Sequence, residues 1–148
     1  MPIEKKRMGK MKRFVETADL FAFGAMAYCL CETLWCGKTH WTMGLLGGAM
    51  FVAIGMIDTV MPGRFGLLTQ GLMGGALITA AEFASGCLLN IALGMDIWDY
   101  SAIPLNLLGQ ICLPYSALWA MLSVIAVVAE DAIRCFAWDE DMPRYKLL

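Results

Sequence analysis

Leu67 to Leu93 reads LLTQGLMGGALITAAEFASGCLLNIAL, a stretch in which Glu82 alone carries a charge. An α-helix crosses a hydrocarbon core of about 30 Å with about 20 predominantly apolar residues, so this run is long enough to span a bilayer. Further runs of the same kind lie on either side. Leu20 to Cys36 is the inner part of a helix expected to start near Phe14 at the membrane surface. Trp41 to Met61 is rich in glycine and methionine, and Leu107 to Ala129 holds Pro114 within it. A proline kinks a membrane helix and is tolerated, because neighbouring groups satisfy the carbonyl it frees. Composition agrees: of 148 residues 59% are hydrophobic and 16% charged, with a mean hydropathy of +0.65. Soluble domains have about 45–50% apolar and about 25% charged residues. A water-soluble globule is excluded, and the fold class is all-α: a polytopic integral membrane protein with four transmembrane helices.

Orientation follows from the bases, since Lys and Arg collect on the cytoplasmic side. Lys5, Lys6, Arg7, Lys10, Lys12 and Arg13 precede the first run, and Arg64, Arg134, Arg144 and Lys146 fall on the same side of a four-helix topology. Only Lys38 falls on the other, so N-in and C-in is expected. No small-residue cleavage site follows a short apolar core, so the first helix is expected to stay in the mature protein. Trp35, Trp41, Trp98 and Tyr100 suit the outer interface, with Trp119 deeper. The chain divides into a basic cytoplasmic segment (1–13), a transmembrane domain (14–129, helices at about 20–36, 41–61, 67–93 and 107–129) and a charged tail (130–148). The tail suits a short amphipathic helix on the cytoplasmic interface. Gly37 to His40 is a tight outer turn and Pro62-Gly63-Arg64 an inner one. Gly94 to Asn106, GMDIWDYSAIPLN, is too polar to span and is expected to cap the bundle on its outer surface.

Few residues offer chemistry. One histidine, with no C-x-x-C or HExxH, argues against a structural zinc site or a metalloprotease. Cys29, Cys31, Cys36, Cys87, Cys112 and Cys135 lie mostly in apolar runs and read as small buried hydrophobes. Gly37-Lys38-Thr39 resembles the end of a P-loop, but Glu32 stands where that loop needs glycine, so no ATP site is expected. No catalytic residues, metal, cofactor or nucleic-acid partner are expected. Glu32 and Glu82 stand inside helices, where a carboxylate usually faces the bundle interior and has a partner or a function. Both fall in the outer half of the membrane. Tyr28 lies one turn before Glu32, and Glu82, Gly86 and Asn90 recur at i, i+4 and i+8 on one helix face. Gln110 can meet that column from across the bundle. Two readings stay open: a neutral Glu82 bonded to Asn90, Gln110 or a carbonyl as interhelical glue, or an outward-facing acidic site, with Asp96 and Asp99 above it, for a cation or proton. A catalytic carboxylate pair is the third reading. Asp58 reaches the inner interface. Gly44-x-x-x-Gly48 and Gly71-x-x-x-Gly75 allow close helix approach, within one chain or between chains.

The segment Thr79 to Trp119 carries a resemblance. Glu82, Gly86 and Asn90, then Trp98-Asp99-Tyr100-Ser101, Pro104, Asn106, Gly109 and Cys112, resemble the pattern of the CmpB-like ABC-transporter type IV family of bacterial membrane proteins. Glu32, His40-Trp41-Thr42-Met43 and Pro143-Arg144-Tyr145-Lys146-Leu147 are similar to short members of that family. The resemblance implies a permease-type protein of the bacterial inner membrane, with any ATPase a separate chain. In the residues themselves, Asp99 suits an Asx-type turn onto Ser101, or a lid over the Glu82–Asn90 column with Pro104 fixing the return into the fourth helix. The expected function is thus a small permease-like protein, a homo-oligomer in the lipid bilayer. Glu32, Glu82, Asn90, Asp99, Gln110 and Tyr28 would bind a cation, proton or small polar solute. The alternative is a non-transporting scaffold or regulatory subunit in which the same residues only hold helices together.

Overall fold

A computed structural model describes residues 2–60 and 65–147, with the backbone alone for 2–8 and 58–60. The turn at Pro62-Gly63-Arg64, the side chains of Asp58, Lys5, Lys6 and Arg7, and their expected placements lie outside the described residues. The chain is 73% helical. It runs α1 (Pro2–Cys36), α2 (Trp41–Val60), α3 (Leu67–Gly86), a π-helical turn (Cys87–Ala92), two short antiparallel strands β1 (Asn106–Leu107) and β2 (Ile111–Cys112), and α4 (Leu113–Trp138). Gly9–Cys36, Leu67–Ala92 and Leu113–Trp138 are long and apolar enough to cross a membrane. The apolar part of α2, Trp41–Ile57, is shorter, although its 20 residues rise about 30 Å.

Two compact units make up the chain, residues 1–52 and 53–148. In the first, α1 packs on the start of α2 through small residues. A Cβ on Gly48 would stand 2.6 Å from the Phe21 carbonyl, one on Gly47 2.5 Å from Tyr28 Cβ, and one on Gly44 2.8 Å from the Cys29 sulfur. In the second, α3 lays Gly71, Gly74 and Gly75 on Val124, Ser123 and Ala120 of α4. A Cβ on Gly74 or Gly75 would stand 2.7 or 2.6 Å from its neighbour, and one on Gly71 would collide with Val124. In a bilayer, where burying apolar surface drives little association, such backbone approach supplies the packing. Both glycine pairs are therefore used within the chain, which removes them as an argument for self-association.

Two boundaries differ from the sequence reading. The fourth helix begins at Leu113, not at 107, so Pro114 falls in its first turn, where a missing N–H costs nothing. Leu105, Leu108 and Gly109 have φ of +58°, +53° and +68°, which no helix accommodates. An apolar run alone does not distinguish this hairpin from helix. At the other end α4 continues to Trp138, and the chain from Asp139 (φ +58°) is not helical. The tail is thus not a separate amphipathic helix. All six cysteines are free, and only Cys112 is buried, while Cys31 and Cys36 are exposed.

Candidate functional site

Glu82 lies on the face of α3 that meets α4 and is 2% exposed. Tyr100 Oη donates to Glu82 Oε1 at 2.9 Å, and Trp119 Nε1 of α4 donates to Oε2 at 2.9 Å. Indole N–H is donor-only, so Oε2 acts as an acceptor here. Stacking of Tyr100 on Tyr115, with ring centroids 4.8 Å apart, fixes the phenol beneath the loop.

One turn on, the helix widens. Leu93 N–H donates to Leu88 O in the i→i−5 pattern, and such π-turns re-aim side chains at functional positions. Asn90, within this turn, becomes a three-way clasp. Its Nδ2 donates to Trp98 O (3.0 Å) and Gln110 Oε1 (2.8 Å), and its Oδ1 accepts from Ile97 N (2.8 Å). Trp98 Nε1 donates to Gln110 O at 3.0 Å, and Gln110 Nε2 to Leu108 O at 3.1 Å. Gly86 makes room for this layer: a Cβ there would stand 2.6 Å from Gln110 Oε1 and 3.1 Å from Trp98.

The outer part of the loop folds on Asp99. Its Oδ1 accepts from Ser101 N (2.8 Å) and Ser101 Oγ (2.6 Å), and these two donors hold the carboxyl below the ordinary carboxylate range. Gly109 closes the turn against it: a Cβ would lie 2.6 Å from Asp99 Oδ1 and 2.5 Å from Ser101 Oγ, and φ is +68°. Asn106 Nδ2 donates to the carbonyls of Ser101 (3.3 Å) and Ile103 (2.7 Å), and its Oδ1 accepts from Gly109 N (3.1 Å). Pro104 is exposed at the loop's crest, two residues before Asn106.

The structure thus brings together Glu82, Asn90, Trp98, Tyr100 and Gln110 as one layer, with Asp99, Ser101 and Asn106 as a second. Tyr28 and Glu32 belong to the first unit. There Tyr28 covers Gly47, and half-exposed Glu32 accepts from Thr39 Oγ1. A groove of about 530 Å³ between α3 and α4 is lined by Gly75, Thr79, Phe83, Ile111, Leu113 and Ala120 among others, and a cavity of about 190 Å³ lies at the tail. Glu82, Asn90 and Gln110 line neither of these.

Sequence reasoning missed Glu130, 2% exposed. It lies against Gly55, where a Cβ would collide with its carboxyl, and accepts from Arg134 Nε at 2.5 Å. The i,i+4 spacing of acid before base was its available signal. Trp119 is the second omission, since its depth in the fourth run is legible in sequence but its bond to Glu82 is not. Among the described residues no cluster of three or more His, Cys, Asp or Glu is placed to hold a metal ion.

Four helices, three of them with the length and apolarity to span, and a polar loop clasped between two of them define a multi-pass helical membrane protein. Residues 19–137 match the family model described as "Putative ABC-transporter type IV", and the chain belongs to that family. Among curated proteins and among solved structures, none matches the chain. The family and the membrane-span-like helices support a transporter-related role in a membrane.

Proposed function

We propose that this chain is a small subunit of a transporter-type assembly in the bacterial inner membrane, in which the signature residues form a structural clasp at the outer end of α3 and α4. The observation that carries this reading is Glu82, whose two carboxylate oxygens are each taken by a side-chain donor while the residue is almost wholly buried. A solute or ion would have to displace Tyr100 and Trp119 to reach it. Asn90 and Gln110 are likewise engaged with the loop. In this reading the chain is not itself an enzyme and has no resident cofactor; ATP hydrolysis belongs to a separate ATPase chain docking from the cytoplasmic side.

A second reading, an outward-facing site for a cation, proton or small polar solute, draws its support from Glu32, which stays half exposed with one hydroxyl partner. Thermal unfolding of the purified chain in mild detergent across Na⁺, K⁺ and pH titrations separates the two. The clasp reading expects no saturating stabilisation by a cation that depends on Glu82. Saturating stabilisation in the wild type that is lost in Glu82→Gln would overturn it, and loss in Glu32→Gln would favour the second reading.

A further inference from the structure

In the first unit, α1 is longer than a membrane requires. Its 35 residues rise about 52 Å, against about 30 Å for a hydrocarbon core. Counted back from Cys36, about 20 residues cross that core, which puts its other edge near Thr17. A head-group layer of about 5–7 Å follows, and Lys12 and Arg13 stand in it. Lys10 lies just beyond, within the Debye length of about 8 Å at physiological salt.

Every residue from Gly9 to Val15 is exposed, and the helix sorts apolar from basic side chains by face. Met11, Phe14 and Val15, at i, i+3 and i+4, share one side and are 64%, 74% and 49% exposed. Lys10, Lys12 and Arg13 take the rest of the circumference. Lys12 Nζ lies 3.5 Å from Glu16 Oε1, whereas among the described residues neither Lys10 nor Arg13 is in an ion pair. The preceding turns of the same helix carry Lys5, Lys6 and Arg7, and from Met1 to Asp19 six bases stand against three acids. Such a surface calls for negative charge and apolar contact together. An acidic polypeptide supplies chiefly the charge, while anionic head groups above acyl chains supply both.

We propose that this exposed stretch of α1 binds anionic phospholipid, with Lys10 and Arg13 facing negatively charged head groups and Met11, Phe14 and Val15 at the acyl boundary. Selection is by net head-group charge and not by the identity of the head group, because exposed bases on a helix surface enclose no pocket. The assignment rests on α1 crossing a membrane and does not depend on whether the assembly moves a solute.

The test follows thermal unfolding of the delipidated full chain in detergent micelles titrated with phosphatidylglycerol or phosphatidylcholine. Phosphatidylglycerol should stabilise saturably in about 0.05 M NaCl and lose about tenfold in affinity at about 0.5 M, where charges are screened within a few ångströms. Phosphatidylcholine, which keeps the phosphate but has no net charge, should bind about tenfold more weakly. K10Q/R13Q leaves the Lys12–Glu16 pair in place and removes two bases of about fivefold each, so phosphatidylglycerol should weaken by about twentyfold. R144Q/K146Q should leave its affinity unchanged. Soluble polyglutamate, anionic but without acyl chains, should bind about tenfold more weakly than the lipid at equal charge. Equal binding of the two lipids would overturn the proposal, as would an affinity unchanged in K10Q/R13Q or lost in R144Q/K146Q. Polyglutamate binding as tightly as phosphatidylglycerol would make the partner an acidic polypeptide and overturn it too. The lipid and polyglutamate comparisons need no variant, so they decide the matter even where K10Q/R13Q fails to fold.

Discussion

Replacing Glu82 tests the clasp most directly. Glu82→Ala removes the acceptor from Tyr100 Oη and from Trp119 Nε1, both at 2.9 Å, and unlinks the loop and α4 from α3. Side-chain hydrogen bonds between membrane helices average about 0.6 kcal/mol and reach about 1.7 kcal/mol, so losing two costs about 1–3 kcal/mol. At about 2–4 °C per kcal/mol for a chain of this size, Tm should fall by about 2–12 °C. Glu82→Gln behaves differently, because a carboxamide still accepts from the donor-only indole through its oxygen and offers its N–H to the phenol oxygen, which also accepts. It should retain most of the wild-type Tm. Tryptophan fluorescence during thermal unfolding in mild detergent reads the effect, since Trp119 itself holds the carboxylate, and Trp119→Phe should account for part of the Ala loss. Glu82→Ala melting with the wild type would refute the clasp. A fall as large in Gln as in Ala would show that the charge, not the hydrogen bonding, is what the site requires.

Asp99 should make the loop acid-sensitive. Its carboxyl is held low by Ser101, so the contribution is complete above the ordinary value of about 3.9 and is lost as pH falls through the lower folded value. Amide-exchange protection at Ser101 should decline in that acid range in the wild type and already be low and pH-independent in Asp99→Ala. Gly109→Ala forces a side chain into positive φ against Asp99 and Ser101, and should cost about 1–3 kcal/mol by thermal unfolding. Arg134→Ala leaves the buried Glu130 carboxylate without the base bonded to it, a loss of about 3–5 kcal/mol that Glu130→Gln in the same chain should partly restore. For topology, in a background lacking the native cysteines, Lys38→Cys and Ala102→Cys should react with a membrane-impermeant thiol reagent in intact cells. Lys146→Cys should not, and strong labelling there would reverse the assignment of sides.

What the sequence determined alone was the environment and the helical content. Runs such as Leu67 to Leu93, with one charge among so many apolar side chains, leave a bilayer-spanning helix as the way to satisfy every backbone polar group. The motif residues Glu82, Asn90, Trp98 to Ser101, Asn106 and Gln110 were legible as a set, because polar side chains between apolar runs stand out. Their wiring was not. Helical spacing put Glu82 and Asn90 in one column, but the π-turn at Cys87–Ala92 re-aims Asn90 at the loop, and no residue type announces a π-turn. The phenol and indole that occupy Glu82 arrive from positions 18 and 37 residues away, separations that carry no periodic signal. Leu107 to Cys112 read as the start of a helix, since apolar residues serve a hairpin and a spanning helix alike, and only the positive φ angles of Leu108 and Gly109 separate the two. The same holds at Glu130, which stands at the edge of a charged tail in sequence and inside the packed unit in space. Whether a carboxylate is solvated or enclosed depends on which backbone approaches it, here that of Gly55, and that approach is set by tertiary packing.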